Sequence, residues 1–224
     1  MSDLAAVVTA AGDSRRWASQ GKKEYVTLQG RPVLAWAIEP FLDLDPSLAV
    51  AVTVPEPDIA RVKELLRPFL DGDRIQFVAG GGSRQESVYR ALEALGARPP
   101  AYVLIHDGAR PWVSLRLVER VIEGARKWGA CVPVLDASEA PKRLGPSGLV
   151  LEHLQREKLK LAQTPQGFLY SKILTAHRQA CGHHRLFVDD GEVYAAFAGA
   201  VFTVAGERIN RKITFKEDLE TPCE

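Results

Sequence analysis

Short, almost uninterrupted apolar runs recur along the chain. They fall at Leu4–Ala10 (LAAVVTA), Leu48–Val54 (LAVAVTV), Ile75–Ala79, Tyr102–His106 (YVLIH), Ala130–Leu135 (ACVPVL) and Ala200–Val204 (AVFTV). Continuous rather than alternating apolarity suits strands buried on both faces of a parallel sheet. Between these runs the spacing becomes helical. Pro32 is placed to open a helix reaching about Leu42, because its fixed φ and missing N–H fit a first turn. Ile59, Val62, Leu65 and Leu66 mark one face of a second helix. Ser83 and Glu86 have capping-box spacing ahead of Val88, Ala91 and Leu92. Leu115, Val118, Val121, Ile122 and Ala125 keep helical spacing, and Thr214 and Glu217 repeat the capping-box spacing near the C-terminus. Strand–helix alternation of this kind predicts an open, doubly wound α/β sheet.

Residues 137–165 break the rhythm. They are richer in charge, contain Pro141, Pro146 and two glycines, and carry short extended patches such as Leu149–Leu154. This segment is expected to be a β-arm projecting from a single domain spanning 1–224, reaching into a partner subunit; a long surface loop is the plainer alternative. Neither an internal repeat nor a low-complexity segment is present.

Composition narrows the partners. The 224 residues are 46% hydrophobic and 25% charged, ordinary for a globular protein. A formal net charge of +1 gives no global basic field, and the four tryptophans are scattered without basic interleaving, so nucleic acid is not expected as a partner. Cys131, Cys181 and Cys223 are odd in number and widely spaced, which argues against a disulfide framework or structural zinc and for a reducing cytoplasm. The adjacent His183 and His184 cannot share one helix face as metal ligands do. No signal peptide is apparent, and no run approaches the ~20 apolar residues of a membrane span.

The first candidate for chemistry follows the first strand. Ala10-Ala11-Gly12-Asp13-Ser14-Arg15-Arg16 offers small residues and successive backbone N–H groups, with Lys22 and Lys23 soon after. Such a loop at the carboxyl end of a strand suits polyphosphate. It is neither GxxxxGK[ST] nor GxGxxG, so a Walker-type ATPase and a dinucleotide-dependent oxidoreductase are disfavoured. From these residues alone, a plain strand–helix turn with solvated basic residues stays open.

A larger set of motifs makes the comparison specific. TAAGDSRRW, KKEY and LQGRPVL are followed by Gly80-Gly81-Gly82-Ser83-Arg84 with Glu86-Ser87-Val88, then by His106-Asp107-Gly108-Ala109-Arg110-Pro111. Gln163-Thr164-Pro165-Gln166-Gly167-Phe168, Asp189-Asp190 and Asn210-Arg211-Lys212-Ile213-Thr214 complete the series. In this order, over essentially the whole chain, they resemble the AAGxGxR, PKxY, LxGxPVL, GGxxRxxSV, HDxARP, TPQxF, TDEA and NxKIT segments of the 2-C-methyl-D-erythritol 4-phosphate cytidylyltransferases.

The resemblance implies a Rossmann-like nucleotidyltransferase sheet and a defined reaction. CMP passes from CTP to a sugar-alcohol phosphate in isoprenoid precursor synthesis, with release of pyrophosphate and use of Mg²⁺ or another divalent cation. It implies that Arg16 and Lys23 stabilise the pentacoordinate transition state and that Arg156 and Lys212 position the substrate phosphate. The arginine matching Arg156 serves the neighbouring subunit, so a homodimer is implied. Ala10, Ala11, Gly12 and Ala109 would line the nucleotide, and Gly81, Gly82 and Ser87 would contact cytosine. Asp107 would lie near the ribose, the substrate hydroxyls and a magnesium ion held mainly by phosphates. Arg110 and Thr164 would touch the substrate. The attacking phosphate is already ionised near neutral pH, so cations and positioning replace a general base.

Four positions depart from the family pattern. Ser14 stands at the second glycine and Lys22 at the proline before Lys23. The DTxKR segment reads Asp136-Ala137-Ser138-Glu139-Ala140-Pro141-Lys142-Arg143, with Ser138 the candidate replacement for its threonine hydroxyl, and DDGE replaces TDEA. The last two fall on the acceptor side. A cytidylyltransferase for another polyol phosphate, such as ribitol 5-phosphate, is therefore the nearest alternative. A non-catalytic nucleotide-binding paralogue is a more distant one.

Overall fold

The computed structural model describes residues 2–12, 17, 21–183, 185 and 187–219. Strand β1 (Leu4–Thr9) is followed by the short pair β2 (Thr27–Leu28) and β3 (Arg31–Pro32), helix α1 (Val33–Leu44), β4 (Ala49–Val54) and α2 (Ile59–Leu66). Then come β5 (Ile75–Ala79), α3 (Arg84–Leu95), β6 (Tyr102–Asp107), α4 (Leu115–Trp128) and β7 (Ala130–Asp136). The chain continues through β8 (Lys142–Leu144), β9 (Val150–His153), β10 (Lys160–Ala162), β11 (Gln166–Leu169), α5 (Tyr170–Cys181), α6 (Asp190–Phe197) and β12 (Phe202–Ala205).

The main sheet runs β10-β7-β11-β6-β1-β4-β5, with β12 also pairing β7. β1 lies parallel to β4 and β6, and β4 lies parallel to β5. Alternate residues of β1 enter opposite cores. Ala6 and Val8 pack with Leu34, Ile38 and Phe41 of α1 and Val118 and Val121 of α4. Ala5 and Val7 pack with Val88, Ala91 and Leu92 of α3 and Ile173 of α5. Both faces are covered, which is why these strands read as continuous apolar runs.

Three differences from the sequence expectations have physical causes. β11 and β10 run antiparallel to their neighbours, so the sheet is mixed. Pro32 is the residue before α1 rather than its first, with φ −59° and ψ 140°. Near the C-terminus the capping carboxylate is Asp218, not Glu217. It accepts from the backbone N–H of Thr214 (2.7 Å) and Phe215 (2.8 Å), ahead of a short 3₁₀ turn at Lys216–Leu219.

Within residues 137–165, the segment expected as an arm, a short β-hairpin forms. β8 and β9 pair Lys142 with His153 and Arg143 with Glu152, with a register irregularity at Arg143/Leu144. β10 then returns antiparallel to β7, pairing Lys160 with Asp136. Leu144, Leu149, Val150, Leu151 and Leu161 are exposed on this arm and its return strand, Leu149 by 65%.

Candidate active site

The connection order reverses at β1: β4 lies on one side of it and β6 on the other. In open α/β sheets this switch point leaves a crevice beyond the carboxyl ends of the strands. A cleft of about 400 Å³ opens here, lined by Thr9, Ala11, Gly12, Trp17, Lys23, Glu24, Gly81, Gly82, Ser83, Arg84, Ser87, Asp107, Ala109, Lys212 and Thr214.

Two loops form its walls. The loop after β1 is anchored where the Ala10 N–H donates to the Thr53 carbonyl (2.8 Å). The glycine loop after β5 is tied from within α3. Ser83 caps that helix by accepting from the Glu86 N–H (3.0 Å), and the Glu86 carboxylate accepts from the Gly82 N–H (2.8 Å). Ser87 Oγ accepts from the Gly81 N–H (3.0 Å) and donates to the Ser83 carbonyl (2.8 Å). The Ser87 hydroxyl proton is thus already engaged. A Cβ at Gly80 would overlap the Ala11 Cβ, so glycine there is what lets the two loops meet.

Cations converge on the floor. Asp107, at the end of β6, is 6% exposed and receives Lys212 Nζ at 2.9 Å and both Arg84 Nε and Arg110 Nε at 3.4 Å. Burial alone would raise its pKa, but Lys212, Arg84 and Arg110 outweigh it and hold the carboxyl well below its ordinary range. Arg84 also meets the buried Asp190 at 2.8 Å, and Asp190 meets His177 Nε2 at 3.1 Å. Burial would weaken the Arg84 charge; Asp190 and Asp107 reverse that and push its pKa above the usual guanidinium value. Lys23, nearly buried, donates to the Ile213 carbonyl at 2.6 Å and so packs against the segment that carries Lys212.

His106 holds this floor together. It is fully buried, and its Nε2 lies 3.1 Å from the Arg110 carbonyl, so Nε2 carries the hydrogen. Nδ1 then accepts from the Thr164 hydroxyl (3.0 Å), whose oxygen accepts from the Asp107 N–H (3.0 Å). Burial pushes the His106 pKa down to about 4. Asn210 Nδ2 donates to the Thr164 carbonyl (2.7 Å), which closes the network.

Of the residues singled out in the sequence, Ala11, Gly12, Lys23, Gly81, Gly82, Ser87, Asp107, Ala109 and Lys212 line one cleft. Ala10, Arg110 and Thr164 stand directly behind it. The Thr164 hydroxyl accepts from the Asp107 N–H and donates to His106, so it ties the floor together. Ser138 and Arg156 are elsewhere, on the arm, with Arg156 exposed, its Nη1 directed at the Ser138 carbonyl (3.4 Å) and its Nε at Glu157 (3.2 Å). Arg16 lies outside the described residues. Arg84 belongs to one of the sequence motifs, yet its part in the floor is not legible there, because both carboxylates that hold it are distant in sequence.

A family model described as IspD, 2-C-methyl-D-erythritol 4-phosphate cytidylyltransferase, matches residues 4–222. The chain belongs to this family. The bifunctional enzyme IspD/IspF of Rhodopseudomonas palustris (strain HaA2) is 39% identical over 216 residues, covering 96% of this chain and 53% of that relative. The chain therefore spans about half the length of the curated relatives it matches. The crystal structure of 2-C-methyl-D-erythritol 4-phosphate cytidylyltransferase from Thermus thermophilus is 32% identical, with a TM-score of 0.77 and coverage of 95% of this chain and 94% of that one. The bifunctional IspDF of Campylobacter jejuni is 32% identical with a TM-score of 0.80, over 98% of this chain and 54% of that one. Among the described residues, no helix is long and apolar enough to cross a membrane.

Proposed function

We propose that this chain transfers CMP from CTP to 2-C-methyl-D-erythritol 4-phosphate, giving the CDP-methylerythritol product and pyrophosphate. The observation that carries this reading is the meeting of Arg84, Arg110 and Lys212 around Asp107, with Lys23 lining the same cleft beside a loop of small residues at the switch point. An ionised phosphate oxygen of the acceptor attacks the α-phosphorus of CTP. A new P–O bond forms, the bond to the β-phosphate breaks, and pyrophosphate leaves with its electron pair. The transition state gains negative charge at phosphorus, and fixed cations in a partly closed cleft stabilise it without reorganising. Lys23, which lines the cleft, takes that task together with Arg16, as the family resemblance implies. Lys212 aligns the attacking phosphate, and Asp107 fixes Lys212.

Among the described residues no three His, Cys, Asp or Glu side chains gather into a metal site. Asp107 already satisfies three cations. The donor set therefore fits a Mg²⁺ held chiefly by nucleotide phosphates and water, which would neutralise polyphosphate charge. The exposed leucines of the arm and the outward Arg156 support a homodimer in which each arm completes the partner's acceptor site. The free thiols of Cys131 and Cys181 suit a cytoplasmic setting.

The divergent segment Asp136–Arg143 lies on the arm side and favours one rival reading, a different polyol phosphate as acceptor. Purified protein with CTP, Mg²⁺ and methylerythritol phosphate is expected to release pyrophosphate. Release with ribitol 5-phosphate alone would move the assignment to that acceptor. No release with any polyol phosphate, alongside intact CTP binding, would favour a non-catalytic nucleotide-binding protein.

A further inference from the structure

Lys22 stands where the family pattern has proline, and nothing in the proposed reaction requires a second cation there. Its ammonium donates to two carbonyls of the loop after β1, Gly12 at 2.6 Å and Ala10 at 3.2 Å. Those two carbonyls flank Ala11. Lys22 does not line the cleft, whereas Ala11, Gly12 and its sequence neighbour Lys23 do. Its backbone is extended, with φ −89° and ψ 134°, so the side chain returns to the loop while Lys23 turns toward Ile213.

We infer that Lys22 is a positioning residue, a brace that holds the nucleotide loop open for the triphosphate from the side away from the cleft. The argument is geometric. In a trans peptide the N–H points opposite to the C=O. Holding the Ala10 carbonyl toward Lys22 therefore turns the Ala11 N–H away from it. A charged donor gives such bonds roughly twice the strength of neutral ones. The loop is otherwise anchored at its start by the Ala10 N–H on Thr53 and is backed by Gly80, whose missing Cβ leaves room for Ala11. Among the described residues, Lys22 adds a further hold, on the carbonyls of Ala10 and Gly12. A proline there would fix its own φ but has no group to reach the loop.

This inference rests on CTP being the ligand of the cleft, and its test separates the two. Lys22→Met keeps the length and removes the donors; Lys22→Arg keeps donors. With Lys22→Met, the Kd for CTP by calorimetry and the KM for CTP are expected to rise about tenfold, the scale of one charge-assisted contact. The kcat at saturating CTP should stay within about threefold, as for lost uniform binding. Hydrogen exchange in the peptide covering Thr9 to Gly12 should quicken, with the other strands unchanged, and Lys22→Arg should restore all three. Unchanged CTP affinity and unchanged exchange in Lys22→Met would overturn the brace. So would a large fall in kcat at constant CTP affinity, which would make Lys22 a direct phosphate contact. If the wild type does not bind CTP, the proposed function fails. The exchange comparison then still decides the brace.

Discussion

In the cleft, Asp107 is almost covered and meets cations at 2.9 and 3.4 Å, of which Arg110 is held in turn by a carbonyl and Arg84 by a second carboxylate. On the arm, Arg156 is exposed, its contacts are to Glu157 next to it and to a carbonyl at 3.4 Å, and leucines are exposed along the same hairpin. The two regions both carry basic groups, paired with the buried Asp107 in the cleft but exposed on the hairpin. The cleft is assembled by long-range contacts within one chain. The hairpin presents Arg156 and exposed leucines. On the proposed reading, the cleft binds the nucleotide and the hairpin of a partner subunit finishes the acceptor pocket.

The strongest way to break this comparison is to disable each side separately. Lys23→Ala and Arg156→Ala are each expected to lower kcat by ~10²-fold, the scale of one lost preorganised charge. Coexpressed, they should regain about a quarter of wild-type activity, because a two-fold dimer rebuilds one intact site in each mixed pair. No recovery in the mixture would place both residues in the same subunit's site. A second test concerns the floor. Asp107→Asn leaves Arg84, Arg110 and Lys212 without their shared carboxylate. Urea unfolding should register a loss of about 3 to 5 kcal/mol, the usual cost of breaking a buried pair. A loss below about 1 kcal/mol, the size of an exposed pair, would mean the cations are solvated.

Acid separates the regions further. The unfolded pKa of His106 is near 6.5 and the folded value about 4. Between these values the unfolded chain takes up a proton that the folded chain refuses, so stability falls as pH drops. The loss is about 3 kcal/mol by pH 4. Below that, Asp107 and Asp190, both depressed in the fold, withdraw their own contributions as they protonate. A stability curve flat from about pH 7 to about pH 4.5 would contradict a buried neutral His106. The smallest expected effects come last. Ser83→Ala removes the acceptor for the Glu86 N–H at the α3 cap and should cost about 1 kcal/mol. An exposed arm change such as Leu149→Ser should alter monomer stability by less than about 0.5 kcal/mol, while weakening self-association in light scattering.

Much of the frame is legible because its signal is local. The run Ile75–Ala79 appears in the fold residue for residue, and the Ser83 cap forms as its spacing predicts. β11 is not foreseen from the apolar pattern. Its four residues, Gln166 to Leu169, offer too short a run to read, and its place between β6 and β7 comes from pairing alone. The buried face of α5 is Tyr170, Ile173, Ala176, His177 and Ala180, with Ile173 its one large aliphatic, so it lacks the repeated large aliphatics that make helices conspicuous. In the cleft, the motifs locate Asp107, Lys23 and Lys212. They are silent on Arg84 as a bridge, because Asp190 reaches it only once α6 has packed into place. They also cannot show that the Thr164 hydroxyl is already committed to His106 and the Asp107 amide.

The pairing of β7 with β10 has a consequence for how the hairpin can vary. Asp136 and Lys160 lie opposite one another in register and form an ion pair, so the excursion between them leaves and rejoins the sheet at a single place. The hairpin is thus a cassette on a closed clasp. Its length and sequence can change without moving β6, β1 or the loops that line the cleft. The stretch from Asp136 to Arg143 that departs from the family pattern lies at the outgoing side of that clasp. On the proposed reading, grafting residues 137–159 from a relative exchanges acceptor preference and leaves the cleft as it stands.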